Sequence, residues 1–173
     1  MSYVPIVASL EDVQPIPGAD RVVSATARGY RLVVSADREP GDLGVVFPAD
    51  GVLDTSFALA AGLLRQHPST GEKLGGMLEL PPRIRCLTIR GVRTDALWIP
   101  MVQFHMALDG MREGYKSRPG FTRDGDEIGP ILLHDGQGRE CVVTVARKYL
   151  PPVRAQRSGG GTGAPPLARQ DLD

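Results

Sequence analysis

The sequence is poor in cysteine, lysine and histidine, and it carries no net charge. Its 173 residues hold two cysteines, three histidines, and 20 Lys+Arg against 20 Asp+Glu. Cys86 and Cys141 stand far apart, no C-x-x-C occurs, and no His lies close to either. An interleaved zinc site is therefore excluded. Two buried thiols in a reducing compartment are expected rather than a disulfide framework. The longest apolar run, Phe57 to Leu64, is far short of a membrane span. The N-terminus has neither the basic start nor the sustained apolar stretch of a secretory signal, so a cytoplasmic protein without membrane contact is expected.

A zero total also removes the simplest argument for nucleic-acid binding, a strongly basic chain. The total hides an asymmetry. Residues 1–82 carry 6 basic and 10 acidic side chains, whereas residues 83–173 carry 14 and 10. Of the basic residues only Lys73, Lys116 and Lys148 are lysines; the other 17 are arginines.

What is abundant is glycine and proline, 21 and 15 residues, which predicts many turns and few long helices. With 42% hydrophobic and 23% charged residues the chain has the composition of a folded domain. Tyr3–Ser9 reads as a strand ending at an acidic turn. Arg21–Arg28 and Tyr30–Ser35 read as two strands meeting at a turn that contains Gly29. Leu43–Phe47 is the next strand. Ser56–Arg65 suits a short helix, stopped by the His67-Pro-Ser-Thr-Gly71 stretch. Strand character returns over Arg83–Arg90 and Ala96–Pro100, a second short helix is expected over Met101–Leu108, and Arg112–Gly129 reads as a polar surface loop. Glu140–Ala146 is the last expected strand. The order predicts a mainly β fold: a small antiparallel barrel with one or two short helices. A helix between the third and fourth strands of such a barrel is the OB arrangement. Residues 1–152 are read as this module. The Gly/Pro-rich stretch from 153 to 173 is read as a flexible linker or tail.

The segment Arg83-Ile-Arg-Cys-Leu-Thr-Ile-Arg-Gly-Val-Arg93 places four arginines together with no acid. Guanidinium forks match phosphate oxygens in two-point geometry, so the cluster suits a nucleic-acid backbone. A solvated strand face with ordinary ion pairs is the alternative. As one strand, Arg83 and Arg85 share a face and Arg90 lies on the other. Other constellations carry less. Lys73 stands in K-x-x-G, the pattern of a nucleotide-accepting lysine, but no acidic strand motif follows at a suitable distance to hold a metal. His67, His105 and His134 have no nucleophile or carboxylate in a recognisable arrangement and read as structural. Gly159-Gly-Gly-Thr-Gly163 follows no strand and has no lysine after it, so it is a linker rather than a phosphate loop. Trp98 could stack on a base, yet its run of apolar neighbours places it in the core.

Several motifs occur in a recognisable order: Pro15-Ile-Pro-Gly-Ala-Asp-Arg21, Gly29-Tyr30, Pro40-Gly-Asp-Leu43, Phe47-Pro-Ala-Asp50, Arg83–Gly91, Leu97-Trp-Ile-Pro100 and Arg147-Lys-Tyr-Leu-Pro-Pro152. Together they resemble the N-terminal OB-like module of ATP-dependent RNA ligases of RNA ligase family 5, over roughly residues 3–152. The resemblance implies a role in sealing RNA ends or nicks, with RNA or nicked duplex as partner. It implies backbone contacts at Arg83, Arg85, Arg90, Arg93 and Lys148. In that family the nucleotidyltransferase domain lies C-terminal to the module, and its motifs do not occur here. ATP and a divalent metal are thus expected only in a catalytic domain, joined or separate, and no catalytic residue or cofactor is assigned to this chain. After Arg90-Gly91 the family tends to show Ser and then Gly, where this chain has Thr94 and Ala96. A shorter similarity, to tRNA-binding OB domains of aminoacyl-tRNA synthetases, lacks the Arg-Gly and Lys-Tyr-Leu-Pro-Pro pieces. A barrel that docks on a protein partner is the third alternative.

Overall fold

The computed structural model describes residues 3–152 apart from 119, 121 and 122. The expected tail from 153 onward lies outside the described residues. At the centre is an antiparallel sheet of β1 (Ile6–Ser9), β5 (Leu43–Pro48) and β9 (Ala96–Pro100), in the order β1-β5-β9. The register sets Val7 opposite Val45, and Val45 opposite Ile99. Alternate side chains of a strand face opposite ways, so a strand covered on both sides must be apolar throughout. The middle strand, Leu-Gly-Val-Val-Phe-Pro, meets that demand: Val45, Val46 and Phe47 are all fully buried.

On one face Val45, Phe47 and Ile99 pack against two helices, α1 (Thr55–Ala60) and α2 (Met101–Asp109). Phe47, Phe57 and Phe104 form a triangle of tilted rings with centroids 5.6–6.4 Å apart, a geometry that adds to the burial of each ring. On the other face Ala8, Val46 and Trp98 pack against Ala25, Ala27, Leu32 and Val34. These last belong to a second sheet, β2 (Glu11–Pro15), β3 (Val22–Ala27) and β4 (Tyr30–Ser35). Trp98 therefore lies in the core, its Nε1 donating to the Ala8 carbonyl at 3.0 Å. Gly44 makes room for it, because a Cβ there would run into the Trp98 ring and the Ile99 carbonyl.

The β3–β4 hairpin turns at Arg28 and Gly29, both with positive φ, as a two-residue turn of the mirror type requires. The acidic stretch expected as a turn is itself strand β2, with Asp12 at φ 49 and an irregular register between Glu11 and Gln14. Such a bulge lets one long strand bend from the first sheet into the second at Leu10. Elsewhere the two sheets meet where Arg31 and Asp95 exchange backbone and side-chain bonds of 2.7 to 3.2 Å. The hydrogen-bonded ladders of the described residues form separate sheets wrapped round the inner core, not one closed barrel. The fold is mainly β.

Helix α1 ends five residues before the expected Arg65. Asp54 caps its start by accepting the Phe57 N–H, and Gly62 stops it in the left-handed conformation. Bonds from Leu63 N–H to the Ala58 carbonyl and from Gly62 N–H to the Leu59 carbonyl complete a Schellman stop. The polar stretch expected as a surface loop is partly tied down. Residues 124–128 run along the outer edge of β1, with Gly125 donating to Val7, Val7 to Asp126, and Ile128 to Pro5, at 2.7–2.9 Å. Three further ladders follow: β7 (Leu87–Ile89) with β8 (Val92–Thr94), β10 (Lys116–Ser117) with β11 (Ile131–His134) and β12 (Glu140–Val143), and β13 (Ala146–Lys148) with β6 (Gly51–Leu53). The strand expected over Glu140–Ala146 is thus two, split at Thr144 and Val145. No helix among the described residues is long and apolar enough to cross a membrane.

Candidate nucleic-acid interface

The expected single strand over Arg83–Arg90 does not form. Pro81 and Pro82 have no N–H to give a ladder, and the chain after them makes only one bridge, Arg83 to Val52, supported by Ile84 N–H to the Gly51 carbonyl at 2.9 Å. Regular pairing begins at Leu87, where β7 folds back on β8 through Arg90 (φ 48) and Gly91 (φ 84). Arg90 is therefore a turn residue, not a strand residue facing away from Arg83. The buried Thr94 secures the open end of this hairpin: its hydroxyl accepts from the Leu87 N–H at 3.2 Å and donates to the Leu87 carbonyl at 3.4 Å. Cys86, expected to be buried, is exposed because it lies between the bridge and the ladder. Cys141 is half-buried, and both thiols are free.

The structure divides the five expected contacts into groups. Arg83 is part of the framework. Its guanidinium sits 4.1 Å above the centre of the Tyr149 ring, its Nη2 pairs with the Asp50 carboxylate at 3.3 Å, and its Nε is buried. Arg85, Arg90 and Arg93 are exposed and make no ion pair or side-chain hydrogen bond with the described residues. Arg90 reaches back over the loop between β2 and β3, where a Cβ on Gly18 would lie 3.5 Å from its Nη1. Arg93 borders a shallow hollow of about 210 Å³ that it shares with Arg31, Thr26 and Asp12.

Lys148, also exposed, stands across from Gly51, whereas Arg147 and Arg83 flank Val52 from its two sides. Directly opposed residues of an antiparallel ladder share a face, so Arg83 and Arg147 lie together and Lys148 points to the other side. That other side is occupied by Tyr3, whose ring fills the space a Cβ on Gly51 would take. The Tyr3 hydroxyl donates to the Pro48 carbonyl at 2.6 Å. Burial, with smaller contributions from Tyr30 and Asp50, pushes its pKa upward, so it remains a donor. Arg147 was not singled out from the sequence, although it opens the Arg147-Lys-Tyr motif; its signal was adjacency to Lys148.

Lys73 lies exposed on the loop before the arginines, bridged to Gln66. The Nδ1 of half-buried His67 accepts from Ser69 N–H at 3.0 Å, a turn-forming role. His134 pairs with Glu140 at 3.3 Å across β11 and β12.

A family model described as PHA02142 OB-fold domain matches residues 5–101. Solved structures of Naegleria gruberi RNA ligase variants share the fold. One, with ATP and Mn, has a TM-score of 0.56 at 18% sequence identity, covering 96% of this chain and 40% of that one. Another, with AMP and Mn, has a TM-score of 0.50 at 19% identity, covering 90% and 38%. This chain thus spans about two fifths of the length of those ligase chains. No curated protein matches it.

Proposed function

The chain belongs to the OB-fold domain family whose model spans residues 5–101, and from there we propose that it is the RNA-engaging accessory module of an ATP-dependent RNA ligase. The observation that supports this most is the row of exposed guanidinium groups at Arg85, Arg90 and Arg93, none of them held by a carboxylate of the described residues. An arginine already paired inside the protein has little left to offer a phosphate; an unpaired one offers its full fork. Lys148, exposed on the other side of the last strand, is a further cation in this reading. The likeness in fold to solved RNA ligase structures, and the ordered motifs from Pro15 to Pro152, favour association with a ligase over other roles of the OB fold. In this reading adenylate transfer belongs to a nucleotidyltransferase domain, where ATP and metal act. The module contributes grip on nicked duplex or RNA ends.

The test is binding of the full chain to a labelled nicked RNA duplex across a salt series. Affinity should fall steeply with salt, and Arg90→Ala with Arg93→Ala should lower the salt slope by roughly one for each lost phosphate contact. Absence of binding at low salt, together with no effect on a ligase catalytic domain supplied in trans, would sink the proposal. If folded tRNA displaces the nicked duplex at lower concentration than unlabelled duplex does, the module is of the tRNA-binding kind instead.

A further inference from the structure

Beside the arginine hairpin the surface becomes apolar. Met77, Leu80 and Leu87 are 49%, 48% and 41% exposed. They wall an open cleft of about 260 Å³ whose rim carries Arg83 and Arg85. A smaller hollow continues from it, shares Met77, Arg85 and Leu87, and reaches β4 at Val33. Exposed aliphatic residues scattered singly are ordinary, but gathered into one cleft with a polar rim they mark a place where something docks.

Two properties of this cleft select the occupant. The first is charge: its one acid, Glu79, is already paired with Arg65 at 3.0 Å, whereas Arg85 has no partner among the described residues. The cleft therefore attracts anions. The second is the lack of aromatic lining: among the described residues no Phe, Tyr, Trp or His lines it, His67 belonging to an adjoining hollow beyond Leu78–Leu80 and the Tyr149 ring being stacked on Arg83. Single-stranded nucleic acid draws much of its affinity from bases stacked on aromatic side chains, and phosphates alone would leave Met77, Leu80 and Leu87 uncovered. A peptide that alternates acidic and aliphatic side chains satisfies both properties, since an extended chain sends successive side chains to opposite sides.

We infer that this cleft docks an extended acidic segment of a partner protein, with aliphatic side chains seated among Met77, Leu80 and Leu87 and carboxylates on Arg85. Neither Arg90 nor Arg93 lines the cleft, so of the exposed arginines read above as RNA contacts only Arg85 would be shared between the two partners.

The probe is a fluorescein-labelled peptide of alternating glutamate and leucine, titrated with the full chain and followed by anisotropy. Saturable binding is expected, weakened roughly tenfold by Leu80→Glu and by Arg85→Glu. The pair Arg90→Glu and Arg93→Glu should change it little. A companion peptide with serine in place of leucine should bind more weakly. Because Leu80 is exposed, its replacement removes no core contact. Amide shift changes in the unaltered protein, expected within residues 77–89, give a readout that no variant can confound. Absence of saturable binding, equal affinity of the cleft variants, or shifts centred elsewhere would overturn the inference. Displacement of the peptide by oligouridylate, with oligouridylate itself weakened by Leu80→Glu, would overturn it in favour of RNA.

Discussion

The β1-β5-β9 sheet and the stretch from Met77 to Thr94 join end to end at β8 and β9, yet they treat their side chains in opposite ways. In the sheet both faces are covered, and Val45, Val46, Phe47, Trp98 and Ile99 are all buried. In the neighbouring stretch, Met77, Leu80 and Leu87 remain exposed beside Arg85, a cation without a carboxylate partner among the described residues. The difference separates two kinds of constraint. A strand covered on both sides is determined by packing and has no side chain left over for a partner. A segment pinned only at two isolated bridges, Leu64 to Leu78 and Val52 to Arg83, and at one short hairpin keeps several of its side chains available.

Substitutions sharpen the contrast. The largest effect is expected from Phe47→Ala, which opens a cavity where three rings meet and should cost about 3–5 kcal/mol in urea unfolding. Gly44→Ala comes next, because its methyl must displace both the Trp98 ring and the Ile99 backbone; a loss of about 1–3 kcal/mol is expected by the same measurement. At the boundary, Tyr149→Ala removes the ring under Arg83 and should cost about 0.5–1 kcal/mol. The smallest change belongs to the arginine hairpin. The paired Arg90→Ala and Arg93→Ala variant should hold its stability within about 0.5 kcal/mol while losing RNA affinity. A large loss of stability there would show that these arginines serve the fold, and the contrast would fail.

The sequence disclosed the covered region better than the open one. Leu43–Phe47 and Ala96–Pro100 are legible because two-sided burial demands an apolar residue at nearly every position. The Arg28-Gly29 hairpin is legible because its turn demands left-handed residues. Strand β6 has little local signal because it is only three residues long and is held by the Pro82 carbonyl accepting from Leu53 N–H, by Ile84 N–H donating to Gly51, and by the distant Ala146–Lys148. Arg83 was grouped with Arg85, Arg90 and Arg93 by spacing alone. Its engagement depends on Asp50 and Tyr149, which no local pattern brings to it. Arg90 did carry a local signal, since Arg90-Gly91 repeats the Arg28-Gly29 pair and takes the same left-handed conformations, φ 48 and 84 against 50 and 85.

The bonds between residues 124–128 and the outer edge of β1 bear on how such a module travels between proteins. The match to the OB-fold domain model ends at residue 101, but the edge of β1 is sealed by a later part of the chain, and β6 takes its partner strand from Ala146–Lys148. A gene fusion that transplanted residues 5–101 alone would carry an unsealed strand edge into its new host, inviting pairing with another chain. A transplanted piece that keeps both of these pairings has to extend at least to Lys148.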